Sequence, residues 1–260
     1  MSGNHTMTVR ETWTDIGGGW AHAWILEPGR REMTAPLVVV VPGLGLPTYT
    51  RPTAHALVRQ GLGCAVLDVP GFGSGGRRSA RADIHSIGRS VASWVLARAA
   101  GRPVVLVGHS TGAQAALGAA LALQEELPQP AALVMAGPTF APEQRRVPAL
   151  LAATPAAYRQ DTVREISLRD VARARLAVAS IIRSGIRDAP EMRLAGLRMA
   201  LTLTAGEHDA YAPGPWLATL AAAAGQAAEV RTVVAPGTHN NLYTHPLALM
   251  RVIADALPSH

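Results

Sequence analysis

Short runs of apolar residues, each followed by a stretch typical of a helix, recur along most of the chain. Leu37–Val41 is the clearest run, because five consecutive aliphatic residues indicate a strand buried on both faces. Similar runs lie at residues 64–67, 104–107, 132–136, 201–204 and 230–234. Helical patterns separate them over residues 52–60, 84–100 and 113–127. Strands that alternate with helices predict an α/β fold with a mostly parallel sheet and helices on both faces.

Two parts of the chain break this alternation. Residues 9–13 and 20–25 flank a turn with three consecutive glycines, which predicts an antiparallel hairpin. Residues 141–198 contain no convincing strand and predict helices over residues 148–153, 168–184 and 191–197. Because an insertion at the carboxyl edge of a parallel sheet lies beside the usual ligand site, we expect a helical lid inserted between two strands. The length predicts a single domain, 1–260, with the lid at 141–198 inside it.

Gly108-His109-Ser110-Thr111-Gly112 has the form Gly-x-Ser-x-Gly. The pentapeptide alone is weak evidence, but a strand pattern precedes it and a helical pattern follows it. This setting is typical of a nucleophile elbow, a turn so tight that only glycine fits two residues before and after the serine. The strained backbone then projects the serine hydroxyl above the sheet. Ser110 is therefore the predicted nucleophile.

These residues and their context resemble the α/β-hydrolase family, and the resemblance covers essentially the whole chain. The family places an acid after a later strand and a histidine after the last one. Residues 206–209 match the acid loop and residues 236–240 the histidine loop, which implies Asp209 and His239 as partners of Ser110. The chemistry agrees, because a serine hydroxyl needs a base to remove its proton and histidine is suited to that near neutral pH. An aspartate fixes the imidazole tautomer and stabilises the imidazolium.

The oxyanion hole is expected from two backbone N–H groups. Thr111 begins a helix, so its N–H is free of an intrahelical acceptor and lies at the positive end of the helix dipole. In similar hydrolases the loop after the first parallel strand carries His-Gly, and the residue after that glycine is the second donor. Here the pair is Pro42-Gly43, so Leu44 is the expected donor. Pro42 departs from the family pattern and removes a side chain that often braces the loop.

Other acids and histidines are weaker candidates for the site. Glu207 is the nearest competitor of Asp209 as the triad acid. Asp68 lies in a segment that also resembles the family, and we interpret it as structural because Asp209 already occupies the expected place. His109 lies inside the elbow and cannot turn back onto the neighbouring serine. The remaining alternatives for the base are His55, His208 and His245.

Composition excludes several classes of function. The formal charge is +6, carried by 24 arginines and no lysine, yet no basic run is interleaved with aromatic residues, so nucleic acid is not an expected partner. No apolar run approaches the length of a membrane span, and the first seven residues have no signal-peptide core. The single Cys64 excludes an intrachain disulfide. Neither a nucleotide-binding loop nor a metal-ligand cluster is evident, so we expect a cytoplasmic protein with no cofactor and no metal.

The sequence therefore predicts a serine hydrolase that cleaves a small-molecule ester, thioester or lactone through an acyl-serine intermediate. One alternative uses the same triad for carbon–carbon bond hydrolysis or for acyl transfer and cyclisation, and another is a non-hydrolytic binding protein on this fold. Ser110 argues against epoxide and haloalkane hydrolysis, which use an aspartate nucleophile. Residues 141–198 hold 11 arginines against 6 acids, a charge that suits a coenzyme A thioester or an acyl carrier protein. An arginine-rich composition alone also explains this charge.

Overall fold

The structure is a computed structural model that describes residues 7–29, 35–72, 79–99, 101–127, 131–159, 172, 174 and 176–257. Its strands are β1 (Thr8–Asp15), β2 (Trp20–Glu27), β3 (Leu37–Val41), β4 (Gly63–Asp68), β5 (Val104–His109), β6 (Ala131–Ala136), β7 (Ala200–Gly206) and β8 (Val230–Ala235). They form one sheet in the order β1-β2-β4-β3-β5-β6-β7-β8. β2 pairs antiparallel with β1 and β4, and the other neighbouring strands are parallel. The predicted hairpin and the mostly parallel sheet are both confirmed.

The helices cover both faces of this sheet. They are α1 (Arg51–Arg59), α2 (Ile84–Ala99), α3 (Thr111–Leu123), α4 (Val147–Ala157), α5 (Leu176–Arg187), α6 (Pro190–Leu194), α7 (Gly214–Ala223), α8 (Asn241–Thr244) and α9 (Pro246–Ala254). Successive residues of a strand point to opposite faces, so the valines of β3 serve two cores. Val38 and Val40 pack with residues of α1 and α9, whereas Val39 and Val41 pack with residues of α2 and α3. This two-sided burial explains why the strand sequences are continuously apolar.

Parallel pairing brings the carboxyl ends of the central strands to one edge of the sheet. Val41 of β3 is in register with Gly108 of β5, and His109 of β5 with Ala136 of β6. β7 and β8 continue the series up to Gly206 and Ala235. The loops that follow these strands, which carry the predicted site residues, therefore meet at the same edge.

The boundaries of several elements differ from the predicted ones. α3 begins at Thr111 but ends at Leu123, four residues before the predicted end, because residues 124–126 form a turn. α4 is longer than predicted and contains Pro155 in its last turn. The predicted helix over residues 168–184 overlaps α5, but residues 168–171, 173 and 175 of it lie outside the described residues.

Helices α4, α5 and α6 lie between β6 and β7, where the lid is predicted. The described residues of the segment 141–198 contain no strand. The assignment of this segment as a lid stays a prediction. Among the residues that the structure describes, no helix is long and apolar enough to cross a membrane.

Candidate functional site

Ser110 lies in a sharp turn between β5 and α3. Its backbone has φ 56° and ψ −128°, a left-handed conformation that a residue with a side chain seldom adopts. Glycine is required on both sides of the turn. A Cβ atom on Gly108 would lie 2.4 Å from the carbonyl oxygen of Gly112, and a Cβ atom on Gly112 would lie 2.3 Å from that of Val41. The sequence Gly-x-Ser-x-Gly therefore folds here as the predicted elbow.

His239 lies on the loop after β8 and contacts Ser110, and Asp209 lies on the loop after β7 and contacts His239. The His239 Nε2 atom is 2.9 Å from Ser110 Oγ, and its Nδ1 atom is 2.9 Å and 3.0 Å from the two carboxylate oxygens of Asp209. All three residues are buried, with exposed fractions of 8%, 1% and 5% for Ser110, His239 and Asp209. The structure thus brings the three residues predicted from sequence into one hydrogen-bonded chain.

The Asp209 carboxylate is held in a charged state by its surroundings. Burial by itself raises the pKa of this carboxyl, but the charge of His239 and hydrogen bonds from His239 and the Tyr211 N–H outweigh burial and keep the pKa below its usual value. The Tyr211 and Ala212 N–H groups donate to Oδ1 at 2.9 Å and 3.2 Å. The competitor Glu207 has a side chain 55% exposed, which points to Asp209 as the partner of His239.

The two predicted oxyanion donors, the N–H groups of Thr111 and Leu44, lie beside each other but differ in whether they already have a hydrogen-bond acceptor. Thr111 is the first residue of α3, so its N–H has no acceptor within the helix. The Leu44 N–H donates to Thr111 Oγ1 at 2.8 Å, and Leu44 has a positive φ of 52°. Leu44 therefore lies beside Thr111, but its N–H is bound to a side chain, and its role as an oxyanion donor stays a prediction.

A partly buried chain of hydrogen bonds links the loop that carries Leu44 to the histidine loop. The Gly43 N–H donates to the Tyr49 hydroxyl at 2.7 Å, that hydroxyl lies 2.6 Å from His109 Nδ1, and His109 Nε2 lies 2.8 Å from the carbonyl oxygen of His239. Because a carbonyl only accepts, His109 carries its proton on Nε2, and the Tyr49 O–H donates to Nδ1. The sequence indicates no role for Tyr49, and it excludes His109 only as the base.

The pKa shifts of His109 and Tyr49 agree with neutral side chains in this series of hydrogen bonds. Burial lowers the pKa of His109 to about 3, aided by the neighbouring His239, against weaker opposing effects from the His239 carbonyl and Asp209. Burial also raises the pKa of Tyr49, opposed by the hydrogen bond from Gly43. A position directly before the serine of an elbow was the only sequence signal that pointed to His109.

The end of α4 contacts the histidine loop directly. The His239 N–H donates to the carbonyl oxygen of Ala157 at 3.0 Å. Tyr211, beside the acid, has its hydroxyl 2.6 Å from Thr154 Oγ1 of the same helix. The rings of Tyr158 and Tyr211 also meet the His239 ring edge-on, at centroid distances of 5.7 Å and 4.9 Å. None of these contacts was predicted, because they join segments about 30 to 80 residues apart in the chain.

The remaining candidate acids and histidines are not part of the hydrogen-bonded chain from Ser110 to Asp209. Asp68, at the end of β4, is buried and contacts His22 Nδ1 at 3.3 Å, which agrees with a structural role. His208 has a side chain 47% exposed. His245 pairs with the neighbouring Thr244 hydroxyl at 3.0 Å. For His55, burial and the charges of two nearby arginines lower the pKa.

A cavity of about 170 Å³ opens beside Ser110, and we call it the acyl cavity. It is lined by Leu44, Ser110, Thr111, Thr139, Phe140, Val147, Leu150, Leu151, Thr154, Tyr158, Ile182 and Tyr211. Its apolar wall includes Val147, Leu150 and Leu151 of α4, Tyr158 directly after α4, and Ile182 of α5. Two other apolar residues of α5 do not line it, since Leu176 is 86% exposed and Ile181 is buried in the main core.

The described arginines of the segment 141–198 divide into two groups. Three pair with acids: Arg145 with Glu191 at 2.6 Å, Arg193 with Asp188 at 3.0 Å, and Arg198 with Glu125. Four others are exposed, namely Arg146, Arg159, Arg183 and Arg187. The positive charge of this segment is therefore only partly used in ion pairs within the described residues.

A model described as Alpha/beta hydrolase family matches residues 38–252. A search of curated proteins found no match. Among solved structures, the enol-lactonase from Burkholderia xenovorans LB400 is 19% identical, covers 94% of this chain and 98% of its own, and has a TM-score of 0.69.

Two further solved structures have the same fold. The proline iminopeptidase of Mycobacterium smegmatis is 15% identical over 95% of this chain and 97% of its own, with a TM-score of 0.72. A thioesterase domain from the curacin biosynthetic pathway is 17% identical over 95% and 99%, with a TM-score of 0.65. At these identities the similarity concerns the fold alone.

Proposed function

Because the chain belongs to the α/β-hydrolase family, as its sequence predicted, we propose that it is a serine hydrolase that cleaves an ester, thioester or lactone through an acyl-serine intermediate. The observation that carries the proposal is the chain of contacts from Ser110 Oγ through the imidazole of His239 to the carboxylate of Asp209. Three such groups in sequence make an activated nucleophile, a general base and an orienting anion.

In the first half of the reaction, Ser110 Oγ attacks the carbonyl carbon while His239 Nε2 takes the hydroxyl proton. The tetrahedral oxyanion forms beside the Thr111 N–H, at the start of α3. When it collapses, the bond to the leaving group breaks and His239 returns the proton to that group. Water then attacks the acyl-serine by the same route and releases the acid. Asp209 stays ionised throughout and stabilises the imidazolium, which agrees with its lowered pKa.

Leu44 enters this scheme with one added step. Its N–H donates to Thr111 Oγ1 in this structure. It can donate to the oxyanion only when this hydrogen bond breaks or when the N–H is shared between the two acceptors. An oxyanion is a stronger acceptor than a hydroxyl, which favours the exchange as charge develops. A preorganised donor contributes about 3 kcal/mol to transition-state stabilisation, and for Leu44 the loss of the bond to Thr111 Oγ1 offsets part of that gain.

Thioesters are included because of the exposed arginines Arg146, Arg159, Arg183 and Arg187, which attract an anionic carrier such as coenzyme A or an acyl carrier protein. The curacin domain is described as a thioesterase, which is compatible with this choice. Ionic strength separates the two substrate types. With a carrier-bound substrate kcat/KM falls steeply with salt, whereas with a neutral ester it stays nearly constant. Equal salt dependence for both would restrict the proposal to esters and lactones.

The proposed nucleophile is tested by labelling with a fluorophosphonate. We expect one adduct, located on Ser110 by peptide mass spectrometry, and no turnover of any ester by Ser110→Ala. Ser180→Ala is the control, because Ser180 is an exposed serine of α5 and its removal should change neither labelling nor turnover. An adduct on another serine, or an active Ser110→Ala variant, would contradict the proposal.

A further inference from the structure

The acyl cavity is small and largely apolar. Phe140, Leu150 and Ile182 form part of its wall, and Val147 and Leu151, which are 56% and 67% exposed, lie where it opens. An apolar cavity of roughly 150 Å³ is large enough for a benzene molecule. The volume of about 170 Å³ therefore holds a group of about six to eight non-hydrogen atoms.

None of the described residues that line the acyl cavity carries a charge. Among the described residues of the segment 141–198, the two partly buried arginines are engaged elsewhere. Arg145 binds Glu191 and the Phe140 carbonyl oxygen, and Arg193 binds Asp188 and the Gln114 carbonyl oxygen. A carboxylate that entered the cavity would find no cation on its walls within the described part of the chain.

The polar groups of the wall are neutral hydroxyls, and two of them satisfy each other. Thr154 donates to the Leu150 carbonyl oxygen at 2.8 Å, so the Tyr211 O–H must donate to Thr154 Oγ1. Thr139 is buried, and its hydroxyl has no hydrogen-bond partner within the described residues. One such hydroxyl suits a neutral oxygen atom but does not offset the desolvation of a carboxylate.

The position of the cavity decides which part of the substrate enters it. Its wall includes Ser110 and both expected oxyanion donors, Leu44 and Thr111, but not His239. The leaving group must lie against His239 Nε2 to receive a proton, whereas the acyl group remains bonded to Ser110 Oγ. The occupant of the cavity is therefore the acyl group.

Resting on the proposed serine hydrolase activity, we propose that the substrates are esters or thioesters of uncharged, apolar carboxylic acids with an acyl chain of about six carbons. Acids that carry a second carboxylate are excluded from the cavity. Chain-length selection is set by the wall, with Ile182 of α5 as the residue that limits the space.

The first experiment measures kcat/KM for p-nitrophenyl esters from acetate to decanoate. We expect a rise of about fourfold per added methylene, up to about hexanoate, followed by a plateau or a decline. A second series with a fixed hexanoyl group and alcohols of increasing length should show no such rise. A rise in the alcohol series alone, or no dependence on acyl length, would overturn the proposal.

Charge is tested with the glutarate half-ester of p-nitrophenol against its neutral methyl ester. We expect the half-ester to react about 100-fold more slowly or worse, because its carboxylate must be desolvated. Leu151→Arg places a cation at the opening of the cavity and should recover part of this loss. Equal rates for the two substrates in the unmodified protein would overturn the proposal.

Ile182→Ala tests the size limit, and Leu176→Ala is the matched control on the same helix, because Leu176 is 86% exposed and does not line the cavity. We expect the plateau to move two or three carbons towards longer chains in Ile182→Ala and to stay in place in Leu176→Ala. An identical profile in both variants would refute the assignment of Ile182. If no ester reacts and Ser110 takes no label, the proposed function itself fails, whereas active but charge-tolerant hydrolysis removes only the present inference.

Discussion

Replacing Tyr49 by phenylalanine removes one oxygen atom that two buried groups use. The Tyr49 hydroxyl accepts the Gly43 N–H at 2.7 Å and donates to His109 Nδ1 at 2.6 Å. Phenylalanine has nearly the same shape, so the ring stays in place while both partners lose their hydrogen bond. The change therefore tests whether this chain of bonds supports the site rather than merely filling space.

The expected cost follows from the two groups that are left unpaired. A buried donor or acceptor without a partner costs about 1–3 kcal/mol, so Tyr49→Phe should lower the free energy of unfolding by about 2–6 kcal/mol. That is a large share of the roughly 5–15 kcal/mol that stabilises an ordinary domain. Gly43 directly precedes Leu44, so a shift of this loop should also weaken the oxyanion donor and lower kcat by about 10-fold or more.

Both effects are measured on one preparation, the first by urea denaturation and the second by ester hydrolysis. Tyr243→Phe is the control, because the Tyr243 hydroxyl makes no hydrogen bond within the described residues. We expect the control to retain stability and turnover. If Tyr49→Phe loses less than about 1 kcal/mol and keeps its kcat, the reasoning about this chain is wrong.

Three further predictions concern groups in or next to the site. Asp209→Asn should lower kcat by about 10⁴-fold, as the same change does in serine proteases, and Glu207→Gln should have little effect on the same assay, because its side chain is exposed. Thr111→Val should lower the free energy of unfolding by about 1–3 kcal/mol, because the Leu44 N–H loses its acceptor. The same change should raise kcat, because that N–H no longer has to leave the threonine hydroxyl to bind the oxyanion, and a lower kcat would contradict this. Finally, the lowered pKa of His109 predicts that the free energy of unfolding falls by about 1.4 kcal/mol per pH unit as the pH drops below about 6.5. The reason is that His109 becomes protonated near pH 6.5 in the unfolded chain but only near pH 3 in the folded protein. A denaturation series at several pH values should show this slope, and His109→Gln should flatten it.

Local patterns were sufficient to predict the sheet and the elbow. A run such as Leu37–Val41 is determined by burial on both faces, and the glycines beside Ser110 by contacts within a few ångströms. The sequence positions of Asp209 and His239 became informative only through the resemblance to a family. Spacing alone would not have brought them together, since Ser110 and His239 are 129 residues apart.

Contacts between segments far apart in the chain could not be predicted from the sequence. Nothing in the residues around Leu44 indicates that its N–H would bind a threonine side chain 67 residues away. The same holds for the sorting of the apolar residues of α5, where Ile181 enters the core and Ile182, its neighbour, lines the acyl cavity. On a helix this choice depends on how the helix is rotated against the sheet, which periodicity over one short segment does not determine.

The contacts of α4 change what removal of the segment 141–198 should do. If the segment were only a cover, its loss would alter selectivity and leave the triad in place. The His239 N–H, however, donates to the Ala157 carbonyl oxygen, and Thr154 of the same helix holds the Tyr211 hydroxyl next to Asp209. Deletion would leave that N–H unpaired and free both loops of the triad. Binding of an acyl group against Leu150 and Leu151 would conversely hold α4 against His239, so that occupancy of the cavity and alignment of the base are coupled through one helix.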